Sequence, residues 1–366
     1  MRLLRWLRDA WVILGLTLLL VLILDAALKV TLDEHGLAQV DPNARAPDRE
    51  SADVDGDDAR VEIYWSEHGA AKNMRWEPYV YWRRDAFSGQ TINVDGEGLR
   101  STWQPASQPA AVIWAFGGSS VWGTGVADES TVPSQLARTL SEPGRPVRVL
   151  NFGESGYVST QSLLTLQQSL AERPPPDLVV FLGGANDVYA ALQARRAGWP
   201  QNEASRQAEF RLTSGLDNYL AGAIHLFEGL KRLSRVDPEP IDETALAREV
   251  VERVGHNLRV AQALAREFDF QVYYFWQPTV FSKPLVSDHE RRVIAASLAW
   301  HRDLQLAADQ AVRQAGAIRD LSDVFAGHRE TLFLDFVHLG PEGNRLLAER
   351  IAASVSGGLQ TTMAIR

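Results

Sequence analysis

The chain has 366 residues, 45% of them apolar and 23% charged, enough for one large core with additions. Its 37 Lys and Arg against 46 Asp and Glu leave a formal net charge of -9, the wrong sign for a surface that tracks a phosphate backbone, so no nucleic-acid partner is expected. It has no cysteine, which excludes disulfides, thiolate zinc sites and a cysteine nucleophile. Residues 1–9 carry Arg2, Arg5 and Arg8 and precede an uncharged stretch over 10–24 that extends through Asp25 to 28. This pattern predicts a transmembrane signal anchor over 10–28, with 1–9 cytoplasmic and everything after it periplasmic or extracellular, because basic flanks stay on the inner side. A cleaved signal peptide, giving a secreted protein, is the competing reading, although the charge of Asp25 in Asp25-Ala26-Ala27 makes a poor cleavage site. Residues 29–60 are polar and acidic, with Pro42, Pro47 and Asp53-Val54-Asp55-Gly56-Asp57-Asp58, and read as a solvated stalk. A calcium loop is the sharper alternative there, but the glycine falls too early and no Glu closes the run. Residues 61–65, 79–82 and 90–94 are rich in aromatic and β-branched side chains, with Asp95-Gly96 and Gly98 as turn residues, so 61–105 is expected to form a small β-rich elaboration.

From 106 to 357 strand and helix patterns alternate, which predicts an α/β sandwich with a mainly parallel five-stranded sheet. The strands fall at 111–116, 147–151, 178–182, 271–275 and 317–321. The helices fall at 132–140, 160–171, 243–268 and 289–315, and a last one follows Pro341, a residue suited to a first helical position. Residues 189–240 interrupt the alternation and read as an insertion placed where it would cover a site. Residues 358–366 are a tail.

Gly117-Gly118-Ser119-Ser120 directly follows the first strand, where a tight turn presents a hydroxyl at the carboxyl edge of the sheet. An ordinary turn is the plain alternative; a phosphate loop lacks its lysine, and the dinucleotide glycine spacing does not fit. Asp335 and His338 stand three residues apart before the last helix, so that one turn holds both and the carboxylate accepts the imidazole N–H. A serine hydroxyl is a poor nucleophile until a base, a group that orients the base and oxyanion donors surround it. The other seven histidines show no paired ligand spacing, and neither a metal nor another cofactor is expected.

Together with Asn151-Phe152-Gly153-Glu154-Ser155-Gly156 and Gly184-Ala185-Asn186-Asp187, these segments resemble, in order, the four blocks of the SGNH (GDSL-like) hydrolase family, over roughly residues 111–353. The resemblance implies a three-layer, flavodoxin-like SGNH fold and a serine esterase mechanism. It implies Ser119 as nucleophile, His338 as base and Asp335 as its partner, with oxyanion donors from the backbone N–H of Ser119 and Gly156 and the side-chain amide of Asn186. Where the family's first block most often has aspartate, this chain has Gly118. Asp187 also suits a helix N-cap, and Asn151 a loop-steadying role. Trp122 and Trp276, placed beside the site, are candidates for stacking on a sugar ring, with core packing as the alternative; Asn202 and Gln277 are candidate polar contacts. The expected activity is removal of an acyl group, with acetyl the expected case, from a carbohydrate or cell-envelope polymer. Transfer of that acyl group to a sugar hydroxyl and non-catalytic carbohydrate binding on the same scaffold are the alternatives.

Overall fold

The computed structural model describes residues 2–34, 58–214 and 241–365. The chain divides into two units, Met1–Ala46 and Pro47–Arg366. The first contains the 33-residue helix α1 (Arg2–Glu34), on which the side chains of Trp11, Ile13, Leu16 and Leu20 are more than half exposed. Among the described residues no helix is long and apolar enough to cross a membrane. The structure therefore does not show the span expected over 10–28. Most of the expected stalk lies outside the described residues, and its described ends are helical.

The second unit begins with α2 (Asp58–Ala70), the hairpin β1 (Met74–Glu77) and β2 (Tyr81–Arg84), and the pair β3 (Phe87–Ser88) and β4 (Asn93–Val94). The strand expected over 61–65 is therefore a helix. Its β-branched and aromatic content suggested a strand, but Val61, Tyr64, Trp65 and His68 recur at helical spacing, and Tyr64 and His68 are the buried members. The remaining strands are β5 (Ala111–Gly117), β6 (Val147–Asn151), β7 (Leu178–Gly183), β8 (Gln271–Trp276) and β9 (Arg319–Asp320). They form one sheet in the order β6-β5-β7-β8-β9, and every pairing in it is parallel.

The helices between them are α3 (Ser119–Trp122), α4 (Val132–Leu140), α5 (Ser159–Glu172), α6 (Ala185–Ala194), α7 (Glu203–Ser214), α8 (Glu243–Phe268), α9 (Asp288–Ala296), α10 (Ala299–Ala315) and α11 (Pro341–Ile365). Strand residues alternate between the two faces of the sheet, because successive side chains point to opposite sides. Trp114, Phe116, Val179, Phe181 and Tyr274 bury one face against α5, α6, α8 and α10. Ile113, Ala115, Val149, Val180 and Phe275 bury the other against α4 and α11. The result is a three-layer α/β sandwich.

The helix expected over 289–315 is two helices. A capping box at Ser287 and Glu290 starts α9, the extended residues Ser297 and Leu298 break it, and Gly316 in the left-handed region ends α10. The insertion expected over 189–240 begins inside α6 and includes α7; residues 215–240 lie outside the described residues.

Candidate active site

The carboxyl ends of the central strands carry the blocks singled out in the sequence, as open α/β sheets require. Ser119 opens α3 immediately after β5, and α3 is held from below by Trp122, which is fully buried. The Arg84 guanidinium lies 4.0 Å from the Trp122 ring centre and that of Arg100 lies 4.3 Å from it. Arg100 pairs with Asp128 at 2.8 Å and donates to the carbonyls of Trp122, Gly123 and Val126. The N-terminal elaboration therefore seats the short helix that carries the serine. Trp122 is a structural anchor, and its burial takes away the sugar-stacking role expected for it.

His338 lies 2.7 Å from the Ser119 Oγ through Nε2 and 2.6 Å from Asp335 Oδ2 through Nδ1. A carboxylate only accepts, so Nδ1 carries the proton and Nε2 is left to accept from the serine hydroxyl. Both Ser119 and His338 are buried, at 7% and 4% exposure. Burial of Asp335 works against its charge, but the adjacent imidazole and the N–H groups of His338 and Val337, both accepted by Oδ1, outweigh it and hold the carboxyl below its usual range. The loop is fastened by the Phe333 to Leu339 bridge and by Glu290, whose Oε1 accepts the N–H of Leu332 and Phe333 while Oε2 pairs with buried Lys283 at 2.6 Å.

The second block wraps under the serine. Asn151 Nδ2 donates to the Val121 and Trp122 carbonyls and its Oδ1 accepts from Gly153 N, so it steadies the loop as expected. Glu154 is fully buried; it accepts from Arg84 N and Ser155 N and ties the loop to the β1–β2 hairpin. Gly156 has φ +75, a left-handed conformation that favours glycine. Among the described residues neither its N–H nor that of Ser119 has a hydrogen-bond acceptor. Asn186 donates one amide hydrogen to the Tyr157 carbonyl at 3.0 Å, and its Nδ2 stands 2.2 Å from where a Cβ on Gly118 would lie.

Two neighbours of this corner were not legible in the sequence. Gln201, 5% exposed, faces the Asn186 carbonyl oxygen at 3.4 Å and stands 3.4 Å from the Cβ position of Gly156. Trp82 donates its indole N–H to the Ser155 carbonyl and comes within 3.5 Å of the same Cβ position. Neither lies in a family block, and both arrive through tertiary contacts that no local spacing encodes.

The other expected contacts fare unevenly. Trp276 is fully buried and donates to Asp309 at 2.8 Å, so it is core. Gln277, buried, reaches the Ser120 hydroxyl at 3.4 Å beside the serine. Asn202 is exposed, with φ +60, and exchanges hydrogen bonds with Gln193 instead of entering the site. Among the described residues no group of three or more His, Cys, Asp or Glu is arranged to hold a metal.

Asp187 caps a different helix from the one it was expected to cap. It leaves the start of α6 and accepts from Ser159 N at 3.0 Å and from the Ser159 hydroxyl, at the first turn of α5. Burial raises its pKa to about 6, against the opposing pull of those hydrogen bonds. A pKa raised in the folded state means stability that is full below the unfolded value of 3.8 and is lost as pH rises through about 6. Asp187→Asn removes that loss. The melting temperature of the variant relative to wild type should therefore rise between about pH 4 and 7, by an amount equivalent to about 3 kcal/mol at most. A pH-independent difference would refute the assignment.

The Ser119, His338 and Asp335 chain at the edge of this sheet is the geometry of nucleophilic acyl transfer. A model of the GDSL-like lipase/acylhydrolase family matches residues 115–346. The chain belongs to the GDSL-like lipase/acylhydrolase family, and it is an acyl ester hydrolase. Similar solved structures include an acetyl xylan esterase, at 15% identity and TM-score 0.39, covering 67% of this chain and 99% of that one. A lipase/acylhydrolase from Enterococcus faecalis is 20% identical with TM-score 0.36, over 68% of this chain and 96% of that one. A carbohydrate acetylesterase from Sinorhizobium meliloti is 15% identical with TM-score 0.36, over 68% and 99%. No curated protein matches the chain.

Proposed function

We propose that this acylhydrolase is tethered to a membrane, faces away from the cytoplasm and removes a short acyl group, acetyl above all, from a carbohydrate or cell-envelope polymer. The observation that carries the reading is the unbroken hydrogen-bonded chain from Ser119 through His338 to Asp335. In it His338 Nε2 takes the hydroxyl proton as Ser119 Oγ attacks the ester carbonyl. The N–H groups of Ser119 and Gly156 and the free amide hydrogen of Asn186 receive the oxyanion, and collapse expels the alcohol with the proton from His338. Water, deprotonated by the same imidazole, then releases the acid.

A short acyl group is favoured by how closely Gln201 and Trp82 stand over Gly156. A carbohydrate is favoured by the hairpin, which supplies the aromatic faces that Trp122 and Trp276 do not. Trp76, 68% exposed, lies 5.6 Å from Tyr81, Tyr81 lies 6.4 Å from Trp82, and Trp82 reaches the oxyanion corner. Tyr79, 76% exposed, and Tyr81 hold φ of 69 and 77, a costly conformation for tyrosine; the Arg206 guanidinium lies 4.4 Å from the Tyr81 ring centre and 4.9 Å from that of Trp82, so Trp76 and Tyr79 offer the open faces. Membrane attachment is favoured by the arginines and uncharged residues of α1.

The test compares an aryl acetate with an acetylated polysaccharide, using the full chain in detergent. Trp76→Ala should raise KM on the polymer by about 3- to 10-fold and leave the aryl acetate untouched. Equal effects on both substrates would refute a carbohydrate platform, and acyl transfer to added oligosaccharide outpacing hydrolysis would replace the hydrolase by a transferase. Protease added to spheroplasts, whose cytoplasmic membrane is intact and whose outer layers are opened, should digest the catalytic unit; protection would refute the location.

A further inference from the structure

The oxyanion corner depends on the direction of one peptide plane. The Ser155 carbonyl and the Gly156 N–H belong to the same planar trans peptide, so they point opposite ways and fixing one fixes the other. Gly156 holds φ +75, yet glycine accepts either sign of φ at little cost. Its own backbone therefore does not prevent the plane from turning over, which would carry the N–H away from the ester and bring the carbonyl oxygen in.

The β1–β2 hairpin supplies the constraint that glycine lacks. The half-buried Trp82 donates its indole N–H to the Ser155 carbonyl at 2.8 Å, and the Tyr157 hydroxyl returns a hydrogen bond to the Trp82 carbonyl. Both neighbours of Gly156 are thus tied to one residue. The indole is itself held, with the Arg206 guanidinium 4.9 Å from its ring centre and the Tyr157 ring meeting it edge-on at 5.7 Å. The flanking N–H groups are spent, Ser155 N on Glu154 Oε1 and Tyr157 N on the Glu154 carbonyl. Among the described residues the Gly156 N–H, between them, has no acceptor and is left for a ligand. A hydrogen bond accepted by the carbonyl of a peptide also polarises it and strengthens its N–H as a donor.

We infer that Trp82 is a positioning residue for the hydrolysis: its indole N–H pins the Ser155–Gly156 peptide so that the Gly156 N–H faces the oxyanion. This role rests on that N–H receiving the oxyanion, as proposed above. It acts on kcat, because the charge it serves develops only in the transition state.

The full chain in detergent is assayed on an aryl acetate and on the matching thionoester, whose carbonyl sulfur accepts hydrogen bonds weakly. Trp82 is changed in two ways: Trp82→Phe, and replacement by benzothienylalanine, which keeps the shape of the ring but has sulfur in place of the indole N–H. Each should lower kcat on the acetate by about 10- to 100-fold with KM within about twofold of wild type. The ester-to-thionoester ratio of kcat should fall by about 3- to 10-fold, because oxyanion donors favour oxygen over sulfur. Asn186→Ala, which deletes the side-chain donor, should move that ratio the same way. A ratio moved by Asn186→Ala but not by benzothienylalanine overturns the pinning and leaves the oxyanion reading standing, whereas a ratio that none of the three changes moves takes both away. Wild-type kcat with benzothienylalanine, whatever Trp82→Phe does, assigns the indole to packing alone and also overturns the pinning.

Discussion

Ser119→Ala should lower kcat on an aryl acetate by about 10⁴- to 10⁶-fold with the fold intact, the scale seen when one member of a cooperating triad is removed. The change deletes one buried hydroxyl and its 2.7 Å bond to His338 and leaves no charge stranded, so melting should shift little. His338→Ala should cost nearly as much, and the double variant little more than either, because the hydroxyl and the imidazole act as one proton path. A covalent serine probe such as a fluorophosphonate should label wild type and fail to label Ser119→Ala. Activity of the variant within tenfold of wild type would show that another group performs the attack, and the acyl-enzyme reading would be lost.

The parts of this site that were legible in the sequence are those whose chemistry sits within a few residues. Asp335 and His338 share one turn, so three-residue spacing foretold the 2.6 Å contact. Four of the five sheet strands, β5 to β8, were legible because a parallel strand covered on both faces is a short, mainly apolar run, and the first three end where a block begins. What stayed hidden depends on where other parts of the chain arrive. Trp122 follows the serine by three residues and reads equally well as a substrate platform or as an anchor; only Arg84 and Arg100, 38 and 22 residues upstream, decide between them. Trp82 and Gln201 meet at Gly156 from opposite sides in sequence, one from a hairpin and one from the segment ahead of α7. The segment over 61–65 misled because residue type and periodicity disagreed there, and periodicity over the longer window governed.

Gly118 offers the second large effect, because the structure gives a reason for glycine where the family most often has aspartate. Its backbone, at φ -85 and ψ -156, is extended and accepts any side chain, so conformational freedom is not the reason. The obstacle is Asn186, whose Nδ2 would lie 2.2 Å from a new Cβ, a separation at which something must move. The amide is the end of a side chain, so the fold survives and the amide swings away. It then loses the Tyr157 carbonyl and its aim at the oxyanion. Gly118→Ala and Gly118→Asp should therefore each reduce kcat by about 10²- to 10³-fold, the cost of one lost oxyanion donor, with melting nearly unchanged for the alanine variant. Asn186→Ala should fall in the same range. Combining it with Gly118→Ala should add little, since both changes remove the same hydrogen bond. If Gly118→Asp retained or raised activity, the Asn186 amide would not be the third donor, and the oxyanion would have to be held by the two backbone N–H groups alone.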